Sequence, residues 1–216
     1  MAKVVQRIGW GVVEPNHLSA QHTGQIYAQL PCAAAITVLE NGQFMKYDYA
    51  NGECNFTGDG EFMLVMNEIK NYDERYQALK DFAYIADNFT DGTYTYTVDE
   101  GGPNERTETI THEGIGPFPG RMYPRLLKTN VGDIFTTNTF YGHNTSNTAT
   151  TSFTAADVTF TVGDFVKVGT NGFLVKTTAS TFDNAVTEVA GQPLFKVVKE
   201  YTMPDGQPGI KLQRVA

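Results

Sequence analysis

The sequence is poor in the residues that most often carry chemistry. Its 216 residues include two cysteines, one tryptophan and four histidines. Cys32 and Cys54 have no C-x-x-C spacing, which argues against a zinc site. No apolar run approaches the roughly 18 residues of a membrane-spanning helix, so a helical membrane protein is excluded. Charge is sparse at 19% of residues, and positive charge sparser: 16 Lys and Arg stand against 24 Asp and Glu, a net charge of -8. A surface of that sign repels phosphate backbones, which argues against general nucleic-acid binding. The opening Met1-Ala2-Lys3-Val4-Val5-Gln6-Arg7 lacks the apolar stretch of a secretory signal. The chain is therefore expected to be made in a cytoplasm, with Cys32 and Cys54 as buried or half-buried thiols rather than a disulfide. The sequons at Asn55, Asn88 and Asn144 then carry no weight.

What is abundant points to β structure. Hydrophobic residues make up 41% and aromatics 12%, with 21 Gly, 9 Pro and many Thr. This is the composition of a turn-rich β protein large enough to bury a core. The first 30 residues are irregular and read as an arm, packed on its own domain or on a neighbouring subunit. Asn41-Gly42, flanked by apolar residues over 36–49, predicts a type I′ hairpin. Asn51-Gly52 predicts a second turn. Gly58-Asp59-Gly60 leads into a buried strand over 61–66. Tyr72, Tyr76, Leu79, Ala83 and Ala86 recur at spacings of three and four, which predicts one helix over 71–86. Strands follow over 93–98 and 105–112, joined by a turn at 99–104, with the second an edge strand or an exposed hairpin arm. The Gly- and Pro-rich run 114–120 is a hinge or a rigid loop, and a boundary is placed near Tyr123-Pro124.

The remainder reads as β throughout. Strands are expected over 158–162, 165–168, 173–176, 194–201 and 210–215. A hairpin loop is expected at 169–172, and a type I turn at Met203-Pro204-Asp205-Gly206. Val131-Gly132-Asp133-Ile134-Phe135 and Val162-Gly163-Asp164-Phe165-Val166 read as one turn used twice, each leading into an apolar strand. The polar segment 141–154 reads as a long exposed loop. The fold class is thus mainly β with one helix: an α+β part over 1–122 with an extended arm, then a small β-barrel or β-sandwich over 123–216.

No catalytic signature emerges. There is no G-x-S-x-G elbow, P-loop or dinucleotide fingerprint. His112-Glu113 lacks the second histidine of a metalloprotease helix, and His17 and His22 are two ligands at most. The segment 87–92 places Phe89 where an EF-hand needs a ligand. Asp99-Glu100 is an acid pair of the kind every acidic chain contains. Asp133 and Asp164 read as turn formers that bond nearby backbone. Tyr94, Tyr96, Tyr123, Phe140 and Tyr141 read as core or interface before they read as sugar-stacking platforms. The residues predict no enzyme, no cofactor and no metal.

Three stretches carry a family likeness. They are Leu39-Glu40-Asn41-Gly42-Gln43-Phe44-Met45-Lys46; Gly60 through Glu68 with the Tyr- and Asp-rich segment 71–84; and Leu127 through Asn138. In these the chain resembles auxiliary (decoration or cement) capsid proteins of tailed bacteriophages. The likeness runs over most of the chain and contains no diagnostic motif, so it transfers no site residue. It implies a small, β-rich, non-enzymatic protein on the outer surface of a phage capsid, on the virion after synthesis in the host cytoplasm. The implied partners are the major capsid protein and further copies of the chain, with a trimer favoured. Neither a membrane nor a nucleic acid is implied. The arm 2–13 and the loop 141–154 are the candidate contact regions. The alternatives are a tail-tube or head-fibre protein, a carbohydrate-binding module using exposed Tyr and Trp10, and a hydrolase with scattered carboxylates.

Overall fold

Phe62-Met63-Leu64-Val65 is apolar at four consecutive positions. A strand with one wet face cannot use such a run, whereas a strand covered on both faces can. The structure, a computed structural model of the chain, shows the second arrangement. It describes residues 3–5, 11–24, 27–36, 39–67, 92–98, 106–112, 123–140, 158–203, 206 and 208–216.

A four-stranded sheet pairs β3 (Phe44–Asp48), β4 (Glu53–Asn55), β5 (Asp59–Val65) and β8 (Leu126–Leu127) in the order β4-β3-β5-β8. Phe44, Phe62, Leu64 and Leu127 point to one side, into the main core. Met45, Tyr47, Met63, Val65 and Leu126 point to the other, beneath Cys32, Ile36 and Leu39. Period-two alternation thus sorts a continuous apolar run into two cores.

The main core is closed by a six-stranded sheet. It contains β2 (Val13–His17), β9 (Ile134–Thr137), β11 (Phe165–Val168), β12 (Leu174–Lys176), β13 (Leu194–Thr202) and β14 (Pro208–Arg214), in the order β12-β11-β13-β14-β9-β2. Phe135, Val166, Phe195, Ile210 and Leu212 face inward and are fully buried. Phe195 lies 5.4 Å from both Phe44 and Phe135, edge-on to the latter. Two further pairs stand apart: β1 (Lys3–Val5) with β10 (Val158–Phe160), and β6 (Gly92–Val98) with β7 (Arg106–His112). Every described strand pair is antiparallel and the sheets curl into a half-barrel, so the mainly β expectation holds.

The repeated Val-Gly-Asp phrase builds one turn twice. Gly132 and Gly163 have φ of +97° and +100°, the third position of a type II turn. Asp133 N–H donates to Asn130 O (2.9 Å) and Asp164 N–H to Thr161 O (3.0 Å). Each Asp carboxylate accepts from the backbone N–H that opens its turn, both at 2.8 Å. Each turn then docks on one neighbouring residue. Gly132 N–H reaches Arg214 O and Asp133 O accepts from Arg214 N–H; Gly163 and Asp164 do the same with Val197. The register makes β9–β14 and β11–β13 images of each other about a local two-fold, with Phe135 matching Val166 and Leu212 matching Phe195. Glu40-Asn41-Gly42-Gln43 is a third copy. Gly42 has φ +91°, Gln43 supplies the capping oxygen to Glu40 N–H (2.7 Å), and the docking residue is Val65.

That third copy corrects the hairpin expected at Asn41-Gly42. A type I′ turn needs positive φ at both central residues, and among the described non-glycine residues only Ala190 has one. The Asn41 side chain instead brackets Asn67, donating to its O at 3.0 Å and accepting from its N–H at 2.8 Å. Residues 39–43 therefore run beside the end of β5 and form no hairpin arm. Two other turns stand as expected: Asp48 faces Glu53 across a loop holding Asn51-Gly52, and Val168 faces Leu174 across 169–173. Gly206 N–H donates to Met203 O at 2.9 Å, while the central residues 204 and 205 of the expected type I turn lie outside the described residues.

The helix expected over 71–86 lies outside the described residues, as do the turn at 99–104 and the run 114–120. Two short helices are described elsewhere: α1 (Ser19–Thr23) and α2 (Phe182–Val189). Leu18 gives α1 no side-chain cap, and Asp133 supplies one from β9's turn, accepting from Ser19 N–H at 3.1 Å and from Ser19 Oγ. The division at 122/123 is not a division of the core. Strand β2 pairs with β9, β8 pairs with β5, and one apolar cluster holds Leu18, Phe44 and Leu64 together with Phe135, Phe195 and Leu212.

Candidate contact surface

The outward face of the six-stranded sheet has two parts. At one end α2 covers it. Ala185 and Val189 pack on Leu194, with Phe165, Val186 and Val215 around them. Lys167 Nζ meets Glu188 Oε1 at 2.6 Å, and Glu188 also accepts from Thr178 and Ala179 N–H at 3.1 Å. The Lys167 ammonium, then these backbone donors, hold the Glu188 carboxyl down at about 2.

Beyond α2 the face carries three lysines, Lys196 and Lys199 exposed and Lys211 half-buried, with Glu14 on the same face across β9. Phe195 and Val197 point inward, so Lys196 points out; a bulge between Val197 and Lys199 then turns Val198 to solvent and keeps Lys199 outward. Lys199 stands directly opposite Lys211 on β14. Like charges in that position repel and weaken a sheet. The ion pairs among the described residues engage Lys128, Lys167, Lys176 and Arg214, and none engages Lys196, Lys199 or Lys211. Two of these lysines lie over aromatic rings: Lys211 over Tyr201 and Lys196 over Phe165, both at 5.8 Å. Glu14 sits beside the Tyr201 hydroxyl and raises its pKa. Val198 (43% exposed), Val162 (59%) and Phe182 (45%) add apolar area. Val162 and Val198 each lie one residue from the Gly163–Val197 hydrogen bond.

The acidic excess of the chain lies in one stretch. Residues 48–113 carry 15 acidic and four basic side chains, whereas 158–216 carry six basic and five acidic.

The contact regions expected from the sequence fare differently. Of the arm 2–13, Lys3–Val5 pairs with Val158–Phe160 of the same chain, while residues 2 and 6–10 lie outside the described set. Gly11 and Val12 are buried: Gly11 N–H donates to Glu40 Oε2 (2.5 Å), Val12 N–H to Asn138 Oδ1 (2.6 Å), and Val12 O accepts from Thr137 Oγ1 (2.7 Å). The end of the arm is therefore part of the fold. The loop 141–154, Trp10, Asp99, Glu100, Glu113 and residues 87–91 lie outside the described residues. Phe140 is core, 5.2 Å from Phe160 in an edge contact, and Tyr123 is half-buried. Tyr94 and Tyr96 lie on β6 opposite Ile110 and Glu108. His17 and His22 lie with ring centroids 6.1 Å apart. Among the described residues no group of three or more His, Cys, Asp and Glu could hold a metal. Asp133 and Asp164 cap their turns, as the sequence suggested.

The lysine face was not singled out from the sequence. Its one signal is Lys196-Val197-Val198-Lys199, where lysines three apart break the period of two and mark the bulge. Comparison with protein-family models, curated proteins and solved structures finds no match to this chain.

Proposed function

We propose that the chain is a structural virion protein that binds and stabilises the outer surface of a phage capsid as a homo-oligomer, with a trimer favoured. The resemblance implies this role. The observation that best supports it is the lysine face: Lys199 against Lys211 beside Lys196, with Val198 exposed at a bulge. Like charges opposed across β13 and β14 weaken the sheet, and anionic groups on a partner would relieve that repulsion. A protein that binds only the assembled lattice stabilises it by mass action. Several copies held together multiply weak contacts through effective concentration.

Co-sedimentation with expanded shells of the major capsid protein tests this. Wild-type protein pellets with shells at low salt. The double variant Lys199→Glu/Lys211→Glu stays folded and pellets about tenfold less, and raising the salt to about 0.5 M narrows the difference. Equal pelleting of both proteins would remove the lysine face from the account. No pelleting of either would remove the capsid role.

A second reading rests on Tyr27 and Tyr49, 58% and 64% exposed, with the Tyr49 ring 5.4 Å from that of Tyr47. Exposed aromatic rings stack on saccharides. A glycan array answered by wild type and not by Tyr49→Ala would support this reading, and an array without hits would end it.

A further inference from the structure

Cys32 and Cys54 are 22 residues apart in the chain, and their sulfurs are 3.9 Å apart in the second core. The backbone brings them together. Ala33 N–H donates to Cys54 O at 2.9 Å and Cys54 N–H to Pro31 O at 2.8 Å, making the two cysteines partners in a parallel bridge. Bridge partners have Cα atoms about 4.8 Å apart, inside the range of roughly 4.4–6.8 Å that a disulfide spans. No disulfide joins them here. Closing the bond needs the sulfurs to approach by about 2 Å, which side-chain rotation can supply without moving the strands.

We propose that this pair is a latent dithiol, a covalent modification site that closes to an intramolecular disulfide on meeting a small-molecule disulfide. Closure fastens the segment 27–36 to β4. One cysteine thiolate attacks the external disulfide and releases one small thiol. The second thiolate displaces the other small thiol from the mixed disulfide. In sum two S–H groups lose two protons and two electrons, and the external S–S bond takes up both. A reducing cytoplasm keeps the pair open, and an oxidising medium closes it.

Access sets the rate. Both sulfurs are buried, and Met45 Sδ covers Cys32 at 4.0 Å. Exchange must wait for the segment to lift, breaking the two bridge bonds and the Tyr47 O–H to Ala28 O bond of 2.6 Å. Oxidation is therefore slow in buffer and faster in mild denaturant.

The test uses the full chain incubated with oxidised glutathione, with and without sub-denaturing urea. The readouts are intact mass, thiol titration after full unfolding, and melting temperature. The proposal predicts a monomer lighter by two hydrogens, no titratable thiol, and a melting temperature raised by about 5–10 °C. Cys32→Ser and Cys54→Ser each take up one glutathione and show no rise. Two thiols surviving in urea, glutathione on both cysteines, or disulfide-linked dimers would overturn it.

Discussion

Arg214 shows how much a single side chain can hold. It lies on the inward face of β14 and is 9% exposed. Its guanidinium reaches Glu61 on the other sheet at 3.0 Å, donates to Thr129 O, and gives its Nε–H to Ala216 O at 3.0 Å. Lys128 adds a second cation to Glu61 at 3.3 Å. Removing one partner of such a pair leaves buried polar groups unmatched. Arg214→Met should cost about 3 kcal/mol by urea denaturation, and a loss below about 1 kcal/mol would show that Lys128 suffices. The three turn glycines form a graded series. A methyl at Gly132 or Gly163 meets nothing within 4 Å, so alanine there costs only backbone strain at positive φ, about 1–2 kcal/mol. At Gly42 the methyl would also strike Thr139 and Thr137 Oγ1 (2.6 Å for the latter). Gly42→Ala should therefore be the most damaging of the three. Equal losses at all three sites would deny the close packing around Gly42.

At the scale of elements, α2 is held by an acid. The Glu188 carboxyl is held at about 2, below its ordinary value of 4.5. A depressed carboxyl stabilises fully above its unfolded pKa and loses that contribution as pH falls through its folded one. Wild type and Glu188→Gln should therefore differ in melting temperature by a constant amount above about pH 5, and the gap should close towards pH 2. The gap is small, below about 1 kcal/mol, because the pair is partly exposed. A gap that widens in acid would reverse the assignment. Strands β5, β6, β7, β11, β13 and β14 were legible, because each combines an apolar or alternating run with a Gly-bearing turn. Helix α2 was not: Phe182, Ala185, Val186 and Val189 recur at spacings of three and four, but over only eight residues, and the packing of Ala185 and Val189 on Leu194 is what fixes the buried face. Strand β2 was missed for a similar reason. Val-Glu-Pro-Asn-His does not alternate, and its pairing with β9 comes from 120 residues away, where Asn16 meets Thr136.

At the scale of the molecule, two expected halves share one core, and long-range pairing defeated the local reading. The Gly- and Pro-rich break before Tyr123 suggested a boundary, yet β8 carries the chain straight back to β5. The buried run Thr136 to Thr139 was equally hidden. It reads as loop chemistry, but Thr137 and Thr139 bond Val12 and Asn41 across the junction of the two sheets. The lysine face exists only through this register, since Lys199 and Lys211 become neighbours when β13 pairs with β14. The most direct test of the capsid role is electron cryomicroscopy of expanded shells saturated with the protein. Density for the chain is expected on the shell exterior, with Lys196, Lys199 and Lys211 turned towards the lattice. Bare shells, or bound chains with those lysines facing solvent, would contradict it.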